Sequence, residues 1–256
     1  MLNKVTISNL PYINNRQHKM IEDIKNTNIR SVEIFLEPLD LEYHKETIKV
    51  IEELYDMGCK FSFHGPFRKL NFLDCITTES CEEALKVFEE CIRVTKVYNG
   101  EFLVIHSNEK LLQAVDLYTQ KELSIRMISN VIDLAEKNNV KVVIENVGVN
   151  SNCLFNEDEF IELCKEFNSA NVLIDLGHAI INKWNLKKVI SELKDRIIAY
   201  HVHSNDGVED IHEPIGTGIL NMSDFMDLFN EYTNEATIII EYGVGKEEHI
   251  IQFAFI

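Results

Sequence analysis

The stretch KVVIENVGVNSNCLFNEDEFIELCKEFNSANVLIDLGH, residues 141–178, decides the fold of this chain. It begins with the apolar, β-branched block Lys141–Asn146 and continues through the amphipathic segment Glu157–Phe167. It then returns to a second apolar block, Val172–Asp175. Strand-length blocks separated by one helix-length segment are typical of a β-α-β unit with parallel strands. The stretch therefore predicts a parallel α/β fold.

The same alternation extends over the rest of the chain. Six further strands are predicted, at Val5–Ile7, Ser31–Phe35, Cys59–His64, Phe102–His106, Ile197–His203 and Thr237–Tyr242. Amphipathic helical segments lie between them at Tyr43–Met57, Glu82–Tyr98, Tyr118–Asn138, Leu186–Leu193 and Ser223–Tyr232. Eight strands that alternate with helices predict a (β/α)8 TIM barrel, and the length suits one barrel. Because no linker or low-complexity tract interrupts the pattern, we expect a single domain over residues 1–256.

Composition excludes several classes of protein. The formal charge of -17, from 25 basic and 42 acidic residues, opposes attraction to phosphate backbones, so no nucleic-acid partner is expected. The six cysteines form no C-x-x-C pair, which argues against a zinc ribbon or a disulfide framework. Since we find neither a secretion signal nor an apolar run of the ~20 residues that a membrane helix needs, we expect a cytoplasmic protein.

Almost every apolar block ends in a side chain that can bind a metal ion. These strand-end residues are His64, His106, Glu145, Asp175, His201 and Glu241, and His178, Asp210 and His212 follow in loops or at a helix start. Singly, each side chain could cap a helix or pack at the rim. Together, the carboxylates at one end of a parallel barrel would repel one another without cations. Mixed imidazole and carboxylate ligands suit Zn, Mn, Co or Fe(II), and we expect one to three ions per chain.

The motifs resemble those of the xylose isomerase-like TIM barrel superfamily, which joins sugar isomerases and epimerases to endonuclease IV. The resemblance rests on FHGP at residues 63–66, VIHS at 104–107, IEN at 144–146, IDLGH at 174–178, HVHSNDG at 201–207, DIHEPIGTG at 210–218 and IE at 240–241. It implies a metal-binding quartet of Glu145, Asp175, His201 and Glu241, as in the single-metal isomerases. Endonuclease IV implies three ions, held by His64, His106 and Glu145, by the quartet, and by His178, Asp210 and His212.

Our leading hypothesis from the sequence is a metal-dependent isomerase or epimerase. Glu145 and Glu241 would exchange a proton beside the carbonyl of a small sugar, keto-polyol or sugar phosphate, and His178 would steer a hydroxyl group. Contacts to this carbohydrate-like substrate are predicted for Arg68, Asn146 and His203. Lys69, next to Arg68, is a second candidate for an anionic group. A homo-oligomer is left open.

Two alternatives remain. The complete nine-residue set suits multi-metal hydrolysis of a phosphodiester by an endonuclease IV-like abasic-site enzyme. Rim segments 36–42 and 204–220 contain no Lys or Arg, which argues against a duplex-binding face. Gly207 stands where some ketose epimerases have an Arg, which argues against epimerase identity. A metal-holding barrel without turnover is the third reading. Glu33, near the end of the second strand, could contact substrate or be a solvated rim carboxylate, and we favour the second interpretation.

Overall fold

Eight parallel strands close into a barrel in the computed structural model, which describes residues 5–13 and 16–253. Neighbours along the chain pair with each other, and the first strand pairs with the last. The strands are β1 Val5–Ser8, β2 Ser31–Phe35, β3 Lys60–His64, β4 Leu103–His106, β5 Val142–Glu145, β6 Asn171–Asp175, β7 Ile197–Val202 and β8 Thr237–Ile240. The predicted TIM barrel and all eight predicted strands are confirmed.

Helices surround the strands on the outside. They are α1 Gln17–Lys25, α2 Leu41–Asp56, α3 Thr78–Val97, α4 Leu117–Lys137, α5 Glu157–Glu166, α6 Leu176–Ile181, α7 Leu186–Leu193, α8 Met222–Tyr232 and α9 Glu248–Phe253. The predicted helical segments are all present. The structure adds α1 and α9, which the sequence pattern did not single out, and places the short α6 before α7.

Side-chain caps fix where the helices begin. Asp40 accepts a hydrogen bond from the Tyr43 backbone at the start of α2, and Asp116 accepts one from Thr119 at the start of α4. Asn156 and Glu159 form a reciprocal capping box at α5. Such caps satisfy backbone N–H groups that have no partner inside a helix. Each strand-to-helix loop therefore leaves the barrel end at a defined residue.

The inward-facing strand residues form an apolar layer under the carboxyl end of the barrel. This layer contains Phe102, Val104, Val143, Leu173, Ala199 and Ile239. A larger core packs between the strands and the helices. Because strand side chains alternate between faces, residues that follow this layer by two positions also face the interior. They are the residues at the strand ends.

Two expectations from the sequence concern the cysteines and membrane-spanning helices. Four of the six cysteines are buried, Cys59, Cys75, Cys91 and Cys164, and all six are free thiols. Among the described residues, no helix has both the length and the apolar character that crossing a membrane requires.

Candidate metal centre

Strand alternation brings the predicted ligands to one place. Two positions after Val104, Val143, Leu173, Ala199 and Ile239 come His106, Glu145, Asp175, His201 and Glu241. The apolar layer thus forms a floor, and the polar residues form the next layer above it. His64 ends β3 and is paired in register with Val104 of β4, so its side chain also faces the interior. All nine predicted ligands lie in groups whose ligand atoms are within 4.8 Å of one another.

The first group surrounds one oxygen of Glu145. The Nε2 atoms of His64 and His106 lie 3.3 Å and 3.0 Å from Glu145 Oε2. Glu145 is 1% exposed and His64 is 2% exposed, so water does not screen this contact. The three side chains match the first predicted ion site.

The second group uses the other oxygen of the same carboxylate. His201 Nδ1 lies 3.1 Å from Glu145 Oε1, 3.8 Å from Asp175 Oδ2 and 3.5 Å from Glu241 Oε2. These are the four residues of the predicted quartet. Glu145 therefore joins the first two groups, with one oxygen directed to each.

The third group lies on the loop after β7 and on α6. Asp210 Oδ2 is 3.0 Å from His178 Nε2 and 3.2 Å from His212 Nε2. Asp210 Oδ1 is buried without a hydrogen-bond partner in the described part of the chain. His212 has a φ of 45°, a strained value for a non-glycine residue. An unpaired carboxylate oxygen beside two imidazoles is a cost that a bound cation would remove.

Each ligand histidine is held by one ring nitrogen and presents the other. The Nδ1–H groups of His64, His178 and His212 donate to the backbone oxygens of Gly65 at 2.7 Å, Asn146 at 2.8 Å and Glu241 at 3.0 Å. His106 Nδ1–H donates to Glu109 at 2.6 Å in the same way. His201 has the reverse arrangement, with its Nε2–H donating to Glu33 at 2.8 Å. This orientation by an outer partner is characteristic of histidines that bind metals.

The ring nitrogens that donate to outer partners show whether metal ions fit the site. Once Nδ1 carries the proton, the Nε2 atoms of His64 and His106 turn lone pairs toward a carboxylate oxygen. Two such acceptors at 3.0 to 3.3 Å need a proton or a cation between them. The donor set of neutral imidazoles and carboxylates suits divalent transition ions. The residues therefore fit the metal that the motifs imply.

Without ions, bound protons must balance the negative charges of the carboxylates in the site. Burial tends to lower the pKa of His106, but the carboxylates of Glu109 and Glu145 outweigh it and raise that pKa to about 10. Burial likewise tends to lower the pKa of His212, and Asp210 raises it to about 9. Burial raises the pKa of Glu241 to about 8, against the opposing effect of His201. For Glu145 the imidazoles of His201 and His106 win over burial and hold the pKa well below its usual range.

Two predicted substrate contacts lie beneath the site instead. The Asn146 amide donates to the Asp175 backbone oxygen at 3.0 Å and accepts from the Asp175 backbone N–H at 2.7 Å. His203 is fully buried, and its Nε2 lies 3.1 Å from Asp175 Oδ2. Neither residue lines the cavity above the ligands. The prediction that they contact substrate is therefore corrected: both hold Asp175 in place.

The prediction that Glu33 is a solvated rim carboxylate is wrong. Glu33 is 0% exposed and accepts hydrogen bonds from His201 at 2.8 Å and from Ser62 at 3.3 Å. Its position two residues before Phe35 in β2 directs it inward. Glu109, which the sequence reasoning missed, has the same relation to His106. A signal existed in both cases: an acidic residue inside a strand, and one three residues after a strand-end histidine.

A cavity of about 590 Å³ opens above the ligands. Its polar base is formed by seven of the predicted ligands: His64, His106, Glu145, His178, Asp210, His212 and Glu241. Its walls are mostly apolar and include Leu10, Ile13, Phe35, Phe67, Val147, Val149, Ile211 and Val244. Arg68 is the one lysine or arginine among the described residues that line it. The prediction that Arg68 can contact substrate is consistent with this place.

The segment after β8 ties the third group to the start of the chain. Lys246 Nζ donates to the backbone oxygen of Ile211 at 2.8 Å and to Glu213 Oε1 at 2.6 Å. Glu247, which is almost fully buried, binds Arg16 and Lys19 at 2.8 Å each. We call residues 243–247 the strap. It holds the loop that carries Asp210 and His212.

Comparison with known proteins agrees with the fold and with the motifs. The family described as xylose isomerase-like TIM barrel matches residues 21–252. An uncharacterized protein of Methanocaldococcus jannaschii is 24% identical over 255 residues, which cover 93% of this chain and 83% of that protein. The structure of a D-tagatose 3-epimerase-like protein has a TM-score of 0.80 and 21% identity, covering 98% of this chain and 97% of that one. An AP endonuclease of family 2 from Brucella melitensis has a TM-score of 0.74 and 17% identity, covering 98% of each chain.

The epimerase-like protein and the endonuclease share this barrel at low identity, and they show the fold alone. The match over residues 21–252 covers most of the chain and includes all nine ligands. The chain belongs to the xylose isomerase-like TIM barrel family.

Proposed function

We propose that this chain is a multi-metal enzyme that cleaves a phosphate ester of a small molecule. The observation that carries the proposal is the position of Glu145, whose two oxygens face two different groups of ligands. A carboxylate in that position suits a bridge between neighbouring ions, as in two-metal phosphoesterases. This ranking reverses the leading sequence hypothesis, in which Glu145 had to be free to exchange a proton with carbon.

Charge supports the same choice. The four ligand carboxylates, Glu145, Asp175, Asp210 and Glu241, carry four negative charges, so one divalent ion leaves two for the protonated imidazoles of His106 and His212 to balance. Three divalent ions would more than neutralise them, and would balance them even with Glu33 and Glu109 included. Three ions with neutral imidazoles leave an excess of positive charge on these four ligands, which a dianionic phosphate would offset.

When bound, the ions would supply an activated water and neutralise the phosphoryl oxygens. Zn, Mn, Co and Fe(II) all suit the ligands. The chain's own residues would do the rest. Glu33, Glu109 and Asn146 hold the ligands at fixed angles. The apolar walls, including Leu10 and Phe67, would limit the access of bulk water to the metal ligands.

The cavity favours a small substrate over a duplex. Its walls are apolar, and only one cationic side chain, Arg68, lines it in the described part of the chain. Duplex recognition needs several phosphate contacts from Lys and Arg, and the protein as a whole carries a charge of -17. We expect no nicking of abasic duplex DNA.

The test is to load the purified protein with Zn or Mn, count the ions per chain and assay p-nitrophenyl phosphate and bis-p-nitrophenyl phosphate. We expect two to three ions and metal-dependent release of nitrophenol. Glu145→Gln should abolish it, whereas Glu53→Gln, on the exposed face of α2, should not. One ion per chain together with no cleavage under any metal would overturn the proposal.

A second candidate is the isomerase or epimerase reaction. Glu145 and Glu241 both line the cavity and both approach His201 Nδ1, at 3.1 and 3.5 Å. Two carboxylates that face one space are the pair that proton exchange at a carbon needs. The neighbour described as D-tagatose 3-epimerase-like has the same fold, which is compatible with this second candidate. Incubation with ketoses in heavy water would reveal it, because solvent deuterium would enter the substrate.

A further inference from the structure

We propose that Arg68 forms a second anion-binding subsite, and that the substrate carries a carboxylate or phosphate separate from the group that reacts at the ions. The inference deepens the proposed function, since it assumes that the reacting group binds at the metal centre. It adds the class of substrate: a small molecule with two anionic groups joined by a compact, partly apolar body.

The guanidinium of Arg68 lies on an aromatic platform. Its central carbon is 5.0 Å from the ring centroid of Tyr43 and 6.0 Å from that of Phe67. Cation–π attraction to the two rings restrains the exposed Arg68 side chain and leaves its N–H groups available to donate to an oxyanion. Arg68 is therefore restrained beside the cavity before any ligand arrives.

Arg68 forms no ion pair or side-chain hydrogen bond with any other residue that the structure describes. This is unusual in a chain with 42 acidic residues, and its neighbour shows the contrast. Lys69 lies outside the cavity and pairs with Asp40 at 3.4 Å. The prediction of an anion contact is thus kept for Arg68 and withdrawn for Lys69. A cation that lines a cavity without a partner is placed to bind an anion from solution.

The loop that carries Arg68 is fixed by a buried carboxylate. Glu37 is 1% exposed, and its Oε1 accepts the backbone N–H groups of Phe67 at 3.1 Å and Arg68 at 3.0 Å. Its Oε2 has no partner among the described residues, so Glu37 holds the backbone of Arg68 and leaves the side chain unpaired. Glu37 is a positioning residue for the subsite.

The platform also adjoins the ion ligands. The Phe67 ring is 6.1 Å from the His64 ring and 6.5 Å from the His106 ring, measured between centroids. Leu10, Ile13 and Phe35 continue the apolar wall beside it. One small molecule can therefore lie along this wall with one anionic group at the ions and the other at Arg68.

The experiment compares two non-hydrolysable probes, benzylphosphonate and 4-carboxybenzylphosphonate, by calorimetric titration of the zinc-loaded protein. We expect the wild-type protein to bind the carboxylated probe at least about tenfold more tightly. Arg68→Met should reduce this ratio to about one, because only the carboxylated probe has a second anionic group for Arg68 to bind. Arg68→Lys should give an intermediate ratio, because it keeps the charge and loses the planar fork. Lys69→Met, the control, should keep the wild-type ratio.

A wild-type ratio near one, or a ratio that survives Arg68→Met, would overturn the subsite. So would the failure of both probes to bind. If the carboxylated probe alone binds, in an Arg68-dependent manner, the subsite stands and the phosphate-ester proposal fails. The two proposals can therefore fail separately.

Discussion

Glu145 links the first two ligand groups, because its side chain faces both the His64–His106 pair and His201. Each of these histidines is held by an outer partner: the Gly65 backbone oxygen for His64, Glu109 for His106 and Glu33 for His201. The two carboxylate partners can be tested by single substitutions.

Glu33→Gln should weaken metal binding about 10- to 100-fold, the usual effect of losing an outer carboxylate on a ligand histidine. The amide keeps the size of Glu33 but no longer provides a charged acceptor for His201 Nε2–H. Affinity can be measured by competition with a chromophoric chelator. Glu53→Gln is the matched control, and an unchanged affinity for Glu33→Gln would contradict the role assigned to Glu33.

Gly177→Ala should destabilise the protein by about 1–3 kcal/mol, as other overpacked sites do. An ideal Cβ at Gly177 would lie 2.0 Å from His203 Cε1, so the ring that supports Asp175 would have to move. On a His203→Ala background the same change should cost far less. Urea unfolding of the four proteins of this cycle measures the difference, and strictly additive effects would show that the clash is absent.

At the scale of elements, strands and loops contribute differently to the site. Strand-end ligands were predictable because the two-residue alternation that placed Val143 inside the barrel also placed Glu145 there. The D-x-H ligands were predictable only from the motif, because their loop has no periodic pattern. The outer partners Glu37 and Lys246 could not be predicted, because their contacts join loops that are distant in sequence. The contacts of Asn146 and His203 with Asp175 also join residues that are distant in sequence, which is why the sequence pattern predicts substrate contacts for both.

Lys246→Met should loosen the third group and leave the first two intact. Lys246 Nζ donates a hydrogen bond to the backbone oxygen of Ile211, next to His212, and pairs with Glu213. We expect the number of ions retained after dialysis to fall by about one per chain, because the third group is the one that the loop carries. Lys188→Met is the control, since Lys188 pairs with Glu157 on the outer helices. Uniform loss from all three groups would contradict the prediction.

At the scale of the whole molecule, the site is an acidic cluster at one end of an acidic protein, where protons would compete with any metal ion for the ligand atoms. In the absence of metal, nearby carboxylates raise the pKa of His106 to about 10 and that of His212 to about 9, although burial opposes both shifts. Both imidazoles are thus protonated at pH 7, and ligation requires that they lose those protons.

Metal affinity should therefore rise with pH, about tenfold per pH unit for each proton displaced, between about pH 6.5 and pH 9. The sign follows from the raised pKa values, since protonated imidazoles below those values exclude the ions. Zinc titrations at several pH values, in buffers of different ionisation enthalpy, give both the affinity and the protons released. An affinity that does not change over this range would contradict the pKa shifts.

The strap predicts how the protein responds when metal ions are scarce. Ligands borne by strands are rigid from the outset, whereas Asp210 and His212 depend on a tether of hydrogen bonds from Lys246. We therefore expect filling to follow a fixed order, with the tethered position last. A shortage of metal would then empty the third group first, and protons would take the place of its ion. Under the proposed function, turnover would fall before the groups carried by the strands lost their ions.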